Sequence, residues 1–120
     1  MVEEAMTSMP DEMFASAVRA SGDLAGVFEY DGDTGYFYLY DQSMPGGQRV
    51  LDAIHIVSGT PDFSENDVDV RWNADEDAVG FFVCGRLWAA FRRGEKHGGN
   101  YRSRGEPRIA ESVVASFSAC

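Results

Sequence analysis

The stretch from Asp67 to Arg93, DVDVRWNADEDAVGFFVCGRLWAAFRR, constrains the fold more than any other part of the chain. Val68, Val70 and Trp72 alternate with Asp67, Asp69, Arg71 and Asn73. A period of two separates an apolar from a polar face only in an extended chain. The polar run 74–77 ends that alternation. Val79 to Val83 is then apolar on both faces, with Gly80 its only small residue, which fits a strand interior to a sheet. Cys84-Gly85 divides it from Leu87–Phe91 at the spacing of a tight hairpin. Three consecutive antiparallel strands, a β-meander, follow.

The flanking segments predict what packs on that meander. Residues 1–7 read as frayed. Thr7 or Ser8 can cap a helix over 10–20, with Pro10 in its first turn and Asp11 and Glu12 at its positive end. Met13, Phe14, Ala17 and Val18 share one face of such a helix, and Gly22 stops it. From Gly26 to Asp41, two aromatic-rich runs flank Asp31-Gly32-Asp33-Thr34-Gly35, a hairpin with a loop of about five residues. Tyr36, Tyr38 and Tyr40 fall on one face of the second run and Phe37 and Leu39 on the other. Residues 42–48 are a Pro/Gly connection. Arg49 to Val57 presents two mostly apolar rows, one of Val50, Asp52, Ile54 and Ile56, the other of Leu51, Ala53, His55 and Val57, as an interior strand would.

Residues 58–66 form a loop. Beyond Phe91 the run RRGEKHGGNYRSRGEP lacks an apolar period and reads as a long loop. Pro107 suits the first residue of a final helix, on which Ile109, Ala110, Val113, Val114 and Phe117 make a stripe. A strand reading of 109–117 is also open; Ala and Glu favour the helix. The expected class is α+β, one domain over 1–120. It has a mainly antiparallel meander of about six strands (26–30, 36–41, 49–57, 67–73, 78–83 and 86–92) with an N-terminal and a C-terminal helix.

Composition excludes several functions. A chain of 120 residues with 44% hydrophobic content can bury a real core without staples. No apolar run is long enough to span a membrane. The acidic opening MVEEAM reads as neither a signal nor a transit peptide, so a cytoplasmic protein with Cys84 and Cys120 reduced is expected. The net charge of −10 is unevenly spread: residues 1–80 hold 17 acidic and 3 basic side chains, residues 81–120 hold 3 acidic and 7 basic. An acidic chain is a poor general binder of nucleic acid and suits a basic partner.

Two segments resemble a family together. FEYDGDTGYFYLYD is similar to the opening motif of a small uncharacterised bacterial domain family, in which an acidic Gly-containing turn precedes a YFY run. VDVRWNADEDAVGFFVCGRLWAAF is similar to the W-N-x-D…G-x-F-x-x-G-x-x-W-A-x-F ending of the same group. The resemblance implies a compact bacterial cytosolic domain and carries no catalytic residues.

Candidate sites follow from side-chain chemistry. Asp31 and Asp33 echo the start of a calcium loop, but Gly35 and Tyr40 fail to continue its ligand set, and Asp and Gly are what a tight turn uses. Arg92, Arg93, Lys96, Arg102, Arg104 and Arg108, with Tyr101 able to stack on a ring, would suit an anion. They equally suit neutralisation of the chain's own acidic half. Cys84 could act as a nucleophile with His55 or His97 as base, yet no Asp or Asn marks itself as the orienting third member. No H-E-x-x-H, C-x-x-C, Walker loop or G-x-S-x-G is present.

The Tyr36, Tyr38 and Tyr40 row is either an interface or a surface covered by a helix, and cover is the preferred reading. Neither cofactor nor metal is implied. The reading that fits best is a non-enzymatic cytosolic interaction domain with an accessory or immunity-like role. Its acidic face, including Tyr36, Tyr38, Tyr40, Asp67 and Asp69, would bind a basic protein partner. The alternative is a small-molecule or anion-binding domain using residues 92–108.

Overall fold

The computed structural model describes residues 12–43, 49–102 and 105–117. Among these, eight strands form two four-stranded antiparallel sheets, each a meander in chain order. The first sheet contains β1 (Met13–Val18), β2 (Leu24–Tyr30), β3 (Thr34–Asp41) and β4 (Arg49–Ser58). The second contains β5 (Val68–Trp72), β6 (Ala78–Val83), β7 (Arg86–Arg92) and β8 (Glu95–Gly98). One short helix, α1 (Glu111–Ser116), follows.

The architecture is therefore mostly antiparallel β, with eight strands in two sheets in place of about six in one meander. The helix expected over 10–20 is corrected to β1, which pairs with β2 from Met13↔Tyr30 to Val18↔Ala25. In so short a run both periods can be drawn, the strand with Met13, Ala15 and Ala17 inward and Phe14 and Val18 outward, and the open edge of β2 decides between them. The caps proposed at Thr7, Ser8 and Pro10 lie outside the described residues. The long loop after Phe91 is also corrected: Arg93 (φ 51°) and Gly94 (φ 84°) make a two-residue turn into β8. The final helix begins at Glu111 rather than Pro107 and spans six residues.

The sheets pack face to face on aromatic rings. Phe28 stacks on Phe81 with centroids 4.4 Å apart, and Phe37 lies 5.9 Å from Phe81 and 5.2 Å from Phe91. Gly26 allows this approach, since a Cβ there would fall 2.6 Å from Val79 Cγ2. β6 is buried on both faces, as its sequence requires. Phe81 and Val79 point between the sheets, while Phe82, with Leu87 and Ala90 of β7, meets Val113, Ile109 and Phe117. Cys84 (φ 51°) and Gly85 (φ 81°) form the expected tight turn between β6 and β7.

Polar ties close both flanks of the sandwich. On one side Trp72 Nε1 donates to the Ala17 carbonyl at 3.0 Å. Arg19 grips Asp23 through two hydrogen bonds, at 3.0 and 2.6 Å, and donates to the Glu76 carbonyl. On the other side the backbone after β8 runs along β4. Asn100 N–H donates to the His55 carbonyl at 2.9 Å and Tyr101 N–H to that of Ile56 at 2.7 Å. The Tyr101 ring lies edge-on to Phe63 and Trp88, and its hydroxyl donates to Asp62.

Candidate functional site

Strand register builds an outward face on the first sheet. Phe14 lies across from Glu29, and Glu29 from Tyr36; Ser16, Val27 and Tyr38 form the next row, and Val18, Ala25 and Tyr40 the third. The opposite face of the same strands is the core. The three tyrosines are half-exposed and in ring contact, Tyr36–Tyr38 at 5.9 Å and Tyr38–Tyr40 at 5.8 Å. Phe14 and Val18 are 54% and 52% exposed. The helix expected to cover this row is absent from the described residues.

A cleft of about 680 Å³ opens on this face where β1 and β3 begin and β2 ends. Four carboxylates line it (Glu12, Glu29, Asp31 and Glu65), together with Phe14, Tyr36 and Tyr38. No Lys or Arg lines it among the described residues. Glu65 accepts a hydrogen bond from the Phe14 backbone N–H at 3.0 Å, which sets one wall. Asp31 accepts from the N–H groups of Asp33 and Thr34 at 2.9 and 2.8 Å, so it builds the turn. Those two bonds hold its carboxyl below the usual aspartate range. Burial first, then the charge of Glu29, pushes the hydroxyls of Tyr38 and Tyr40 above the usual phenol range, so both remain protonated donors. Negative charge beside flat aromatic rings suits a cation.

The other residues singled out in the sequence are dispersed. Asp67 ends the short 3-10 turn Glu65–Asp67 and Asp69 lies on β5. Asp67 accepts the Ser64 N–H at 2.8 Å and Asp69 pairs with Arg71 at 3.1 Å, so neither joins the tyrosines. Arg92 and Arg93 meet on Asp77, at 3.6 and 2.9 Å, and Lys96 reaches Asp52 at 3.4 Å. Tyr101 is built into the flank described above. Arg102 and Arg108 are exposed, and Arg104 lies outside the described residues. Cys84 is exposed at its hairpin tip, and Cys120 lies outside the described residues.

The fold also assembles a group that the sequence does not announce. His55 Nδ1 is 3.0 Å from Asn100 Oδ1, and His55 Nε2 is 2.9 Å from Ser58 Oγ. The Tyr36 ring meets the imidazole edge-on at 5.3 Å. Residues three apart in a regular strand face opposite ways. Here the pairing slips between Gly35↔Val57 and Tyr36↔His55, and the bulge turns Ser58 to the side of His55. Among the described residues, no group of three or more His, Cys, Asp and Glu is placed to hold a metal ion.

No described helix is long and apolar enough to cross a membrane. No curated protein and no solved structure matches the chain significantly. A family model does match, over residues 8–115, and the chain belongs to that family of uncharacterized proteins conserved in bacteria, DUF2251.

Proposed function

We propose that this domain acts by binding: the open aromatic face of the first sheet receives a basic segment of a protein partner in the bacterial cytoplasm, in an accessory or immunity-like role. One observation carries the reading. The cleft on that face sets Glu12, Glu29, Asp31 and Glu65 around Tyr36 and Tyr38 without a Lys or Arg among its described lining residues. Tyrosine supplies broad contact area at low entropic cost, and carboxylates select a cationic counterpart. Asp67 and Asp69 are not among the residues that line this cleft.

The test is co-purification of a partner from the native cytosol at low ionic strength, with the wild-type chain and with E29Q/Y38A. Both positions face solvent, so the double variant keeps its core. The wild-type chain retains a basic partner that elutes as salt rises, because exposed charges beyond about 10 Å are screened near 0.1 M. The double variant loses it by at least about tenfold, the scale of a hot-spot residue. Equal retention by both chains, or retention indifferent to salt, sinks the reading.

A further inference from the structure

We propose that Ser58 is an activated nucleophile that accepts acyl groups from small carboxylic esters, with His55 as its general base and Asn100 as the positioning residue. The proposal is independent of the binding role above. Its basis is the serine–histidine–asparagine relay: Ser58 Oγ to His55 Nε2 at 2.9 Å, and His55 Nδ1 to Asn100 Oδ1 at 3.0 Å.

The tautomer follows from the partners. Asn100 Oδ1 has only lone pairs to offer, so Nδ1 carries the proton and donates. Nε2 then holds a lone pair toward Ser58, and the serine hydroxyl donates to it. A base within hydrogen-bond reach of its nucleophile, oriented through its other nitrogen by a third group, is the general signature of an activated hydroxyl. Each member is held in place. Asn100 sits at φ 52° and is pinned by its own N–H to the His55 carbonyl at 2.9 Å. The imidazole rests against Tyr36. Ser58 is exposed at the end of β4 and open to a substrate.

The step balances without an oxidant or cofactor. Ser58 Oγ bonds to the ester carbonyl carbon while its proton passes to His55 Nε2. The tetrahedral adduct expels the alcohol, which takes that proton, leaving an acyl-serine. Water, deprotonated by His55, then attacks the acyl carbon, the carboxylic acid departs and Ser58 recovers its proton.

The magnitude is limited by what surrounds Ser58. The next backbone N–H, that of Gly59, is already bound to the Asp33 carbonyl at 2.6 Å. One oxyanion donor is worth about 10²–10³ in rate. Ser58 should therefore react with activated esters and phosphonates and turn over slowly.

The test uses the full chain with a fluorescent fluorophosphonate and, in parallel, p-nitrophenyl acetate. The expected result is one label per chain, on Ser58 by peptide mapping. S58A abolishes the label. H55Q slows it about 10²-fold or more, the usual worth of a general base. N100A slows it less, and N100D restores it, since a carboxylate oxygen can also hold Nδ1–H. The labelled residue is mapped on the wild-type chain, so that result stands even if a variant fails to fold. Labelling spread over several serines, H55Q labelling at the wild-type rate, or S58A labelling at the wild-type rate overturns the proposal. A polar tie that only anchors residues 99–101 to β4 would give those results.

Discussion

Asn73 is the one buried polar side chain among the described residues, and the β5–β6 turn is built around it. Its Oδ1 accepts from the N–H groups of Asp77 and Ala78, at 3.1 and 3.2 Å, and its Nδ2 donates to Asp77 Oδ1 at 2.7 Å. N73A leaves those two backbone donors without their partner, the Ala78 N–H buried and the Asp77 N–H partly so. A cost of about 1–3 kcal/mol is expected, the penalty for a stranded buried donor. Urea unfolding of N73A against the wild-type chain measures it, and an unchanged midpoint would contradict the hub. The same scale shows where sequence reading stops. Asn73 sits in an alternating pattern as one more polar residue, and nothing in the spacing says that it is buried. Simple alternation puts His55 and Ser58 on opposite rows. The bulge opposite Gly35 that reunites them has no local signature, because it is set by how β3 and β4 register.

Elements are legible where one period dominates. β6 and β7 are readable because a doubly apolar run followed by Cys84-Gly85 has few other folds. β1 is not, since its six residues fit both a helix stripe and a strand. β8 is not, because Glu95-Lys96-His97-Gly98 has no apolar residue to mark it. The tyrosine row is legible as a face. The cleft beside it draws Glu12, Glu29, Asp31 and Glu65 from separated segments, which only sheet packing unites. That packing depends on Gly26. A Cβ at this position would sit 2.6 Å from Val79 Cγ2 and 3.2 Å from Phe37 and Val70, all within the core between the sheets. Val79 is β-branched and fully buried, so it cannot swing aside. G26A is therefore expected to destabilise by about 1–3 kcal/mol, as overpacking does. G22A is a control of different origin, because Gly22 has open space around its Cβ and only its φ of 80° resists substitution. Denaturation midpoints at equal m-values check the pair, and a neutral G26A would mean that the sheets can move apart.

At the scale of the whole molecule, charge and fold meet in the response to pH. The chain carries a net charge of −10, so mild acidification from neutral relieves self-repulsion and should not destabilise it. Below that range a second effect takes over. Asp23 is held below its ordinary 3.8 chiefly by Arg19, Asp31 by the Thr34 and Asp33 N–H groups, and Asp77 chiefly by Asn73 and then Arg93. Each binds its proton less readily folded than unfolded. Their stabilisation is complete above about pH 4 and is lost as pH falls through the lower folded values. The alkaline side has the opposite sign. Tyr38, Tyr40 and Tyr101 are raised above 10.0, mainly by burial and, for Tyr101, also by its bond to Asp62. The unfolded chain loses those protons first, so stability falls as pH climbs past about 10. Thermal melts from about pH 2 to about pH 11 should thus show a broad plateau, flat or gently rising toward about pH 5, with a fall at each end. Y101F should shorten the alkaline fall and leave the acid fall in place. N73A, by removing the largest of the ties that lower Asp77 and leaving those of Arg93 and Arg92, should make the acid fall shallower. A melting temperature that declines steadily from neutral pH would instead place the controlling groups among side chains that these ties do not involve.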